Sequence, residues 1–149
     1  MSFRPGLYTI ASNIEGSERY VSRAPVEDRS LLPKRIWALS SGIQDPSRGI
    51  WLIRSIDGYI DLEIRGAHTG VVNLDRSKPF AFLIDVSSEI GWILEPARSP
   101  GTFKIKTKDG LRYWQTSGEE EHFGQLIVLA ERSDDPRQEF IFRFREDED

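Results

Sequence analysis

The chain is expected to be all-β and folded as a β-trefoil: three four-stranded repeats, a six-stranded barrel and a cap of hairpins. Three observations predict this. Short β-type runs recur along all 149 residues, and no stretch sustains a 3.6-residue period. The runs number twelve, which divides by three. A turn glycine followed by apolar side chains two and four positions later occurs three times, at intervals of roughly 40 to 50 residues, the period of an internally repeated architecture.

In order, the runs are Leu7 to Ile10, Arg19 to Ser22, Ile36 to Leu39 and Ile50 to Ile53. Tyr59 to Ile64, Gly70 to Leu74, Phe80 to Val86 and Trp92 to Leu94 follow. The last four are Thr102 to Lys106, Arg112 to Gln115, Gln125 to Ala130 and Glu139 to Phe144. Alternation is clearest in Phe103/Ile105 and in Phe140/Phe142/Phe144, where every second side chain meets one face. The repeated glycines are Gly6, Gly58 and Gly101; Trp51-x-Ile53, Trp92-x-Leu94 and Phe140-x-Phe142 close the three sets alike. Three propeller blades would be too few, whereas a closed barrel also disposes of exposed edges. Trp37, Trp51, Trp92, Phe103, Phe140 and Phe142 fall at inward positions and are read as barrel core. Within Arg112-Tyr113-Trp114-Gln115, one aromatic must face outwards if the run is a strand.

Composition narrows the function classes. The length suits a single domain spanning residues 1–149, and 38% hydrophobic residues suffice for a core. Twenty basic and 24 acidic side chains give a net charge of −4, with no basic stripe for nucleic acid. The absence of cysteine excludes disulfides and thiolate metal sites and is compatible with a reducing compartment. Met1 to Gly6 carry no apolar leader and no run of eighteen apolar residues occurs, so no membrane partner and a cytoplasmic location are expected. The acidic tail, Arg145 to Asp149, reads as a solvated end.

Catalytic and metal signatures are missing. His68 and His122 have no partner at ligand spacing, so no metal is expected. There is no Gly-x-Ser-x-Gly, phosphate loop or dinucleotide fingerprint, so neither an enzyme nor a cofactor is expected. Glu119-Glu120-Glu121 reads as a solvated loop tip. Trefoils often bind sugars, but the repeated Gln-x-Trp of that lectin subclass is absent, and Trp114-Gln115 has the reverse order. A single-site lectin is therefore the alternative reading.

The stretch that stands out is Val21 to Arg35, between the second and third runs. Pro25 and Pro33 fix φ and bias the residues before them towards extended conformations. Between them lie Glu27-Asp28-Arg29, then Ser30 and Leu31. A polar loop with two prolines is ordinarily only a loop. An Arg-Ser bond held open in this manner is also what a trypsin-like enzyme takes as substrate.

Here the sequence resembles the cospin type of fungal serine-protease inhibitor (mycospins), cysteine-free β-trefoils from mushrooms. The resemblance is carried by Pro5-Gly6-Leu7-Tyr8-Thr9-Ile10, by Val21-Ser22-Arg23, and above all by Glu27-Asp28-Arg29-Ser30-Leu31-x-Pro33-Lys34-Arg35-Ile36. Weaker echoes run to Ile141. It implies inhibition of a trypsin-like serine protease by a monomer, through the loop between strands two and three. Arg29 would be the specificity residue, Arg29-Ser30 the presented bond, and Glu27 to Leu31 the protease-binding segment. With no disulfide available, stiffness would come from Pro25, Pro33 and hydrogen bonds to the barrel, with Asn13 a candidate donor. Arg23, Lys34 and Arg35 are rival basic residues, expected at strand ends or the rim. Acidic Glu27 and Asp28 directly before Arg29 depart from what trypsin-like enzymes favour.

Overall fold

Apolar side chains at every second position make each run bury one face, and glycine-bearing turns reverse the chain between runs. The computed structural model describes residues 4–43, 49–73, 75–83 and 88–145. The first unit holds β1 (Gly6–Ile14), β2 (Ser17–Arg23), β3 (Lys34–Leu39) and β4 (Ile50–Ile56). The second holds β5 (Tyr59–Ile64), β6 (Ala67–Val72), β7 (Asp75–Phe82), β8 (Ser88–Ile90) and β9 (Ile93–Pro96). The third holds β10 (Thr102–Lys106), β11 (Tyr113–Glu120), β12 (Gly124–Ala130) and β13 (Phe140–Arg145). Helical structure among the described residues is limited to two short 3-10 turns, Ser41–Ile43 and Pro136–Gln138.

The pairing closes on itself. β1 pairs with β4 and β13, β4 with β5, β9 with β10, and β10 with β13. An isolated bridge, Ile60 to Trp92, joins β5 to the start of β9 and completes a six-stranded ring. The hairpins β2–β3, β6–β7 and β11–β12 form the cap, tied together where β3 pairs with both β7 and β12. A six-stranded barrel closed by three hairpins is a β-trefoil. Two-residue turns at Glu15-Gly16, Asp57-Gly58 and Arg65-Gly66 have positive φ at both positions, the geometry that matches the twist of paired strands.

The pseudo-threefold pattern is visible residue by residue. Tyr8 lies opposite Trp51, Ile60 opposite Trp92 and Phe103 opposite Phe140, each the second residue after its repeat's turn glycine. Trp51, Trp92 and Phe140 are all fully buried, as expected of equivalent core positions. Burying an aromatic of this kind removes roughly 200 Å² from water, with an upper bound of about 5 kcal/mol each. Trp114 breaks the symmetry: its ring lies 6.1 Å from Trp51, 5.2 Å from Trp92 and 6.0 Å from Phe140, packing against all three. Tyr113 takes the opposite face of β11 but is buried there, its hydroxyl donating to Glu95 Oε1 at 3.0 Å.

Two expectations change. Thirteen strands occur among the described residues rather than twelve, because Ser88–Ile90 adds a short rung against β6. Gly91, at φ 111°, then turns the chain before Trp92, which pairs only by its bridge. Trp37 is not barrel core: it packs with Ala24, Leu39, Phe123 and Leu126 in a satellite cluster on the cap. The expected strand ends Leu74 and Ile84 to Val86, and the tail beyond Arg145, lie outside the described residues.

Candidate functional site

The connection from β2 to β3 leaves the cap after Arg23 and returns at Lys34. Neither helix nor strand forms across Ala24 to Pro33, where Pro25 and Pro33 lack the amide donors a ladder would use. Its first limb is fastened at Ala24, whose carbonyl accepts from Arg65 Nη2 at 3.1 Å. Both limbs flank an open hollow of ≈ 450 Å³, bounded on the cap side by Trp37 and Phe123.

Two ion pairs then shape the loop from within. Arg23 Nε donates to Glu27 Oε2 at 3.0 Å while its Nη2 donates to Oε1, a two-pronged fork between two largely buried side chains. Lys34 is buried, and its ammonium donates to Asp28 Oδ1 at 2.6 Å, to the Asp28 carbonyl at 3.3 Å and to Ser30 Oγ at 3.3 Å. Three donors thus meet three acceptors, which offsets the heavy cost of taking an ammonium out of water. The same Asp28 oxygen accepts from the Ser30 amide at 3.0 Å and from the Ser30 hydroxyl at 2.6 Å, and the Leu32 amide donates to Ser30 Oγ at 3.4 Å. The Lys34 ammonium, followed by the Ser30 hydroxyl and amide, holds the Asp28 carboxyl at about 2, below its ordinary 3.8.

Arg29 is what remains outside this web. Its side chain is exposed and forms no hydrogen bond or ion pair among the described residues. Around it project Val26, Leu31 and Leu32, at 72%, 59% and 67% exposure. The acidic pair is neutralised by the protein's own cations, so the loop presents one free cation among apolar side chains. Glu27, Asp28, Arg29, Ser30 and Leu31 are brought together as one segment, with half-buried Pro25 and Pro33 at its limbs.

Several sequence readings shift. Arg23 and Lys34 are not rim charges: both are buried anchors of the loop. Arg35 is exposed on β3, opposite Phe80. The signal that would have found the anchors is strand parity, since Arg23 shares a face with Val21, and Lys34 with Ile36 and Ala38. Asn13 is not brought to the loop. It sits on β1 opposite Glu18, five residues of β2 before Arg23, or roughly 16 Å of strand. No hydrogen bond joins it to the loop among the described residues. Arg65, beside a hairpin turn, provides the scaffold contact instead.

His68 does find partners, across the β5–β6 pair rather than along the sequence. Its Nδ1 lies 2.9 Å from Asp61 Oδ2, with Glu63 close by. Arg54 Nη2 donates to Asp61 at 3.2 Å and to Glu63 at 2.9 Å, so one guanidinium bridges this carboxylate pair. The cluster acts as a cross-strand ion network. His122 stacks edge-on against Phe123, with ring centroids 4.6 Å apart.

Comparison with known proteins bears on the family and the fold. Residues 1–145 match the family described as Peptidase inhibitor I66. A serine protease inhibitor from Lentinula edodes is 36% identical over 121 residues, covering 77% of this chain and 80% of its own. A solved proteinase inhibitor from Coprinopsis cinerea superposes with a TM-score of 0.78 at 24% identity, over 97% of this chain and 100% of that one. A ricin B-like lectin from Macrolepiota procera, solved with lactose, shares the trefoil at TM-score 0.69 and 14% identity, covering 97% and 100% of the two chains.

Proposed function

Since this chain belongs to the Peptidase inhibitor I66 family, whose members inhibit proteases and are not enzymes, we propose that it blocks trypsin-like serine proteases with its β2–β3 loop. Arg29 enters the specificity pocket and Arg29-Ser30 lies across the catalytic serine. The observation that carries this reading is the isolation of Arg29: the other basic side chains at the loop ends, Arg23 and Lys34, are buried in ion pairs. A pocket floored by a carboxylate selects a long cation, and Arg29 is the cation free to enter one.

Inhibition rather than digestion needs a loop already in its bound shape, because ordering on binding subtracts from affinity. The Arg23 fork, the Lys34 contacts and the Arg65 strut supply that order here without a disulfide. The lectin alternative loses its one aromatic candidate: Trp114 is sealed in the barrel and cannot stack on a sugar.

The test is a titration against trypsin, where the purified protein should inhibit near stoichiometrically and simple sugars should not compete. Arg29→Ala removes a central anchor of the class worth about 4–8 kcal/mol, or about three or more decades of affinity. Its thermal midpoint should not move, because the side chain is exposed. Arg29→Leu should turn preference towards enzymes with apolar pockets. Full inhibition by Arg29→Ala, or strong glycan-array binding with no effect on trypsin, would overturn the reading.

A further inference from the structure

Resting on the assignment of Arg29-Ser30 as the presented bond, we infer that Lys34 and Asp28 form a clasp across that bond, which holds its two ends in register after cleavage so that the protease rejoins them. The hydrogen bonds divide cleanly about the bond. The Arg23–Glu27 fork lies wholly on the N-terminal side. The clasp crosses it: Lys34 and Ser30 belong to the C-terminal side, and Asp28, which they grip through a side-chain oxygen and the main-chain carbonyl, to the N-terminal side.

Consider the chemistry at each atom. The protease's serine hydroxyl adds to the Arg29 carbonyl carbon, the Arg29–Ser30 C–N bond breaks, and the hydroxyl proton passes through the protease's histidine to the Ser30 nitrogen. An ordinary leaving segment then drifts away, and water enters to hydrolyse the acyl-enzyme. Here the departing nitrogen is the one whose N–H already points at Asp28 Oδ1, at 3.0 Å. Ser30 is held further by its hydroxyl, 2.6 Å from that same oxygen, and by the buried Lys34 ammonium. The amine therefore stays beside the acyl carbon, and its attack re-forms the amide and returns the proton to the serine. If water intervenes, the new ammonium faces the Asp28 carboxylate, and condensation through the same acyl-enzyme runs back from the nicked form. Asp28, adverse to trypsin-like enzymes in a flexible peptide, is here the group that retains the leaving nitrogen. Lys34 and Asp28 are positioning residues.

The experiment incubates intact and pre-nicked inhibitor separately with a catalytic amount of trypsin at neutral pH, and follows both forms by mass spectrometry to a common ratio. The wild-type protein should reach, from both directions, a ratio of intact to nicked within about one decade of unity. Lys34→Met, an apolar replacement of similar length, should shift that ratio towards the nicked form by about tenfold or more and hasten cleavage, the scale of one lost charge-assisted contact. Asp28→Asn, which keeps the size of an exposed side chain, should shift it in the same direction, and Lys34→Arg should restore part of the wild-type ratio. Arg23→Met, removing a contact on one side only, should weaken binding with a smaller change in the ratio. Wild-type ratios in both Lys34→Met and Asp28→Asn, while Arg29→Ala abolishes inhibition, would overturn the clasp and leave the assignment of the bond intact. Cleavage at another bond, or undiminished inhibition by Arg29→Ala, would overturn that assignment as well.

Discussion

At the scale of the residue, Asp28 shows how much a neighbour outweighs exposure. Its side chain is 75% exposed, yet its carboxyl is held at about 2, chiefly by the Lys34 ammonium and then by Ser30. A carboxyl depressed in the folded state stabilises that state fully above its unfolded value of 3.8, and the contribution fades as pH falls towards about 2. The clasp should therefore be intact at neutral pH and open only across that acid window. The carbon-13 shift of the Asp28 carboxyl should titrate near pH 2 in the native protein and move back towards 3.8 in Lys34→Met; an unchanged midpoint in that variant would sever the pair. In the sequence, Arg29 and the acidic residues before it were legible because local composition and resemblance both point there. Lys34 was not, because reading it as a rim charge required ignoring that Ile36 and Ala38, on the same strand face, are core.

At the scale of the element, the loop depends on the strand that receives it. β3 carries Lys34 at its first residue and is flanked in the cap by β2, β7 and β12. Gly124 opens β12 at φ 136°, and a Cβ placed there would sit 2.1 Å from the Ala38 carbonyl oxygen on β3. Gly124→Ala should therefore cost about 1–3 kcal/mol or more, read as a lower urea midpoint. It should weaken protease binding too, since β3 must shift to admit the methyl; Gly42→Ala, with open space around its Cβ and no left-handed φ, is the contrast. Strands were legible wherever period-2 alternation met a glycine turn, as in β5 and β10. β8 was invisible, because three residues are too few to show a period. The His68 network was invisible for another reason: Glu63 and His68 become neighbours only through strand register.

At the scale of the whole molecule, Trp51, Trp92 and Trp114 share the barrel core with Phe140, and the three indole nitrogens fare differently. Trp51 Nε1 donates to the Val21 carbonyl at 2.8 Å, tying the barrel to the strand that leads into the loop. Trp92 Nε1 donates to Thr69 Oγ1 at 2.9 Å, whereas Trp114 Nε1 is buried with no hydrogen-bond partner among the described residues. Trp51→Phe and Trp114→Phe delete the same volume, so their difference isolates the hydrogen bond. Trp51→Phe should be the more destabilising by about 1–3 kcal/mol in denaturant unfolding, because it strands the Val21 carbonyl. The threefold plan itself was readable from three glycines and three aromatics; Trp114, which packs against all three of those rings, was not, since it has no counterpart in the other repeats' patterns. The ring has one more consequence. β1 is hydrogen-bonded on both flanks, to β4 and to β13, and lies upstream of Arg29, where the proposed bond follows. A cut after Arg29 therefore separates the polypeptide into two pieces without loosening a stave from the hoop. The shorter piece can escape only when both neighbours part from it, so its departure is as slow as unfolding itself.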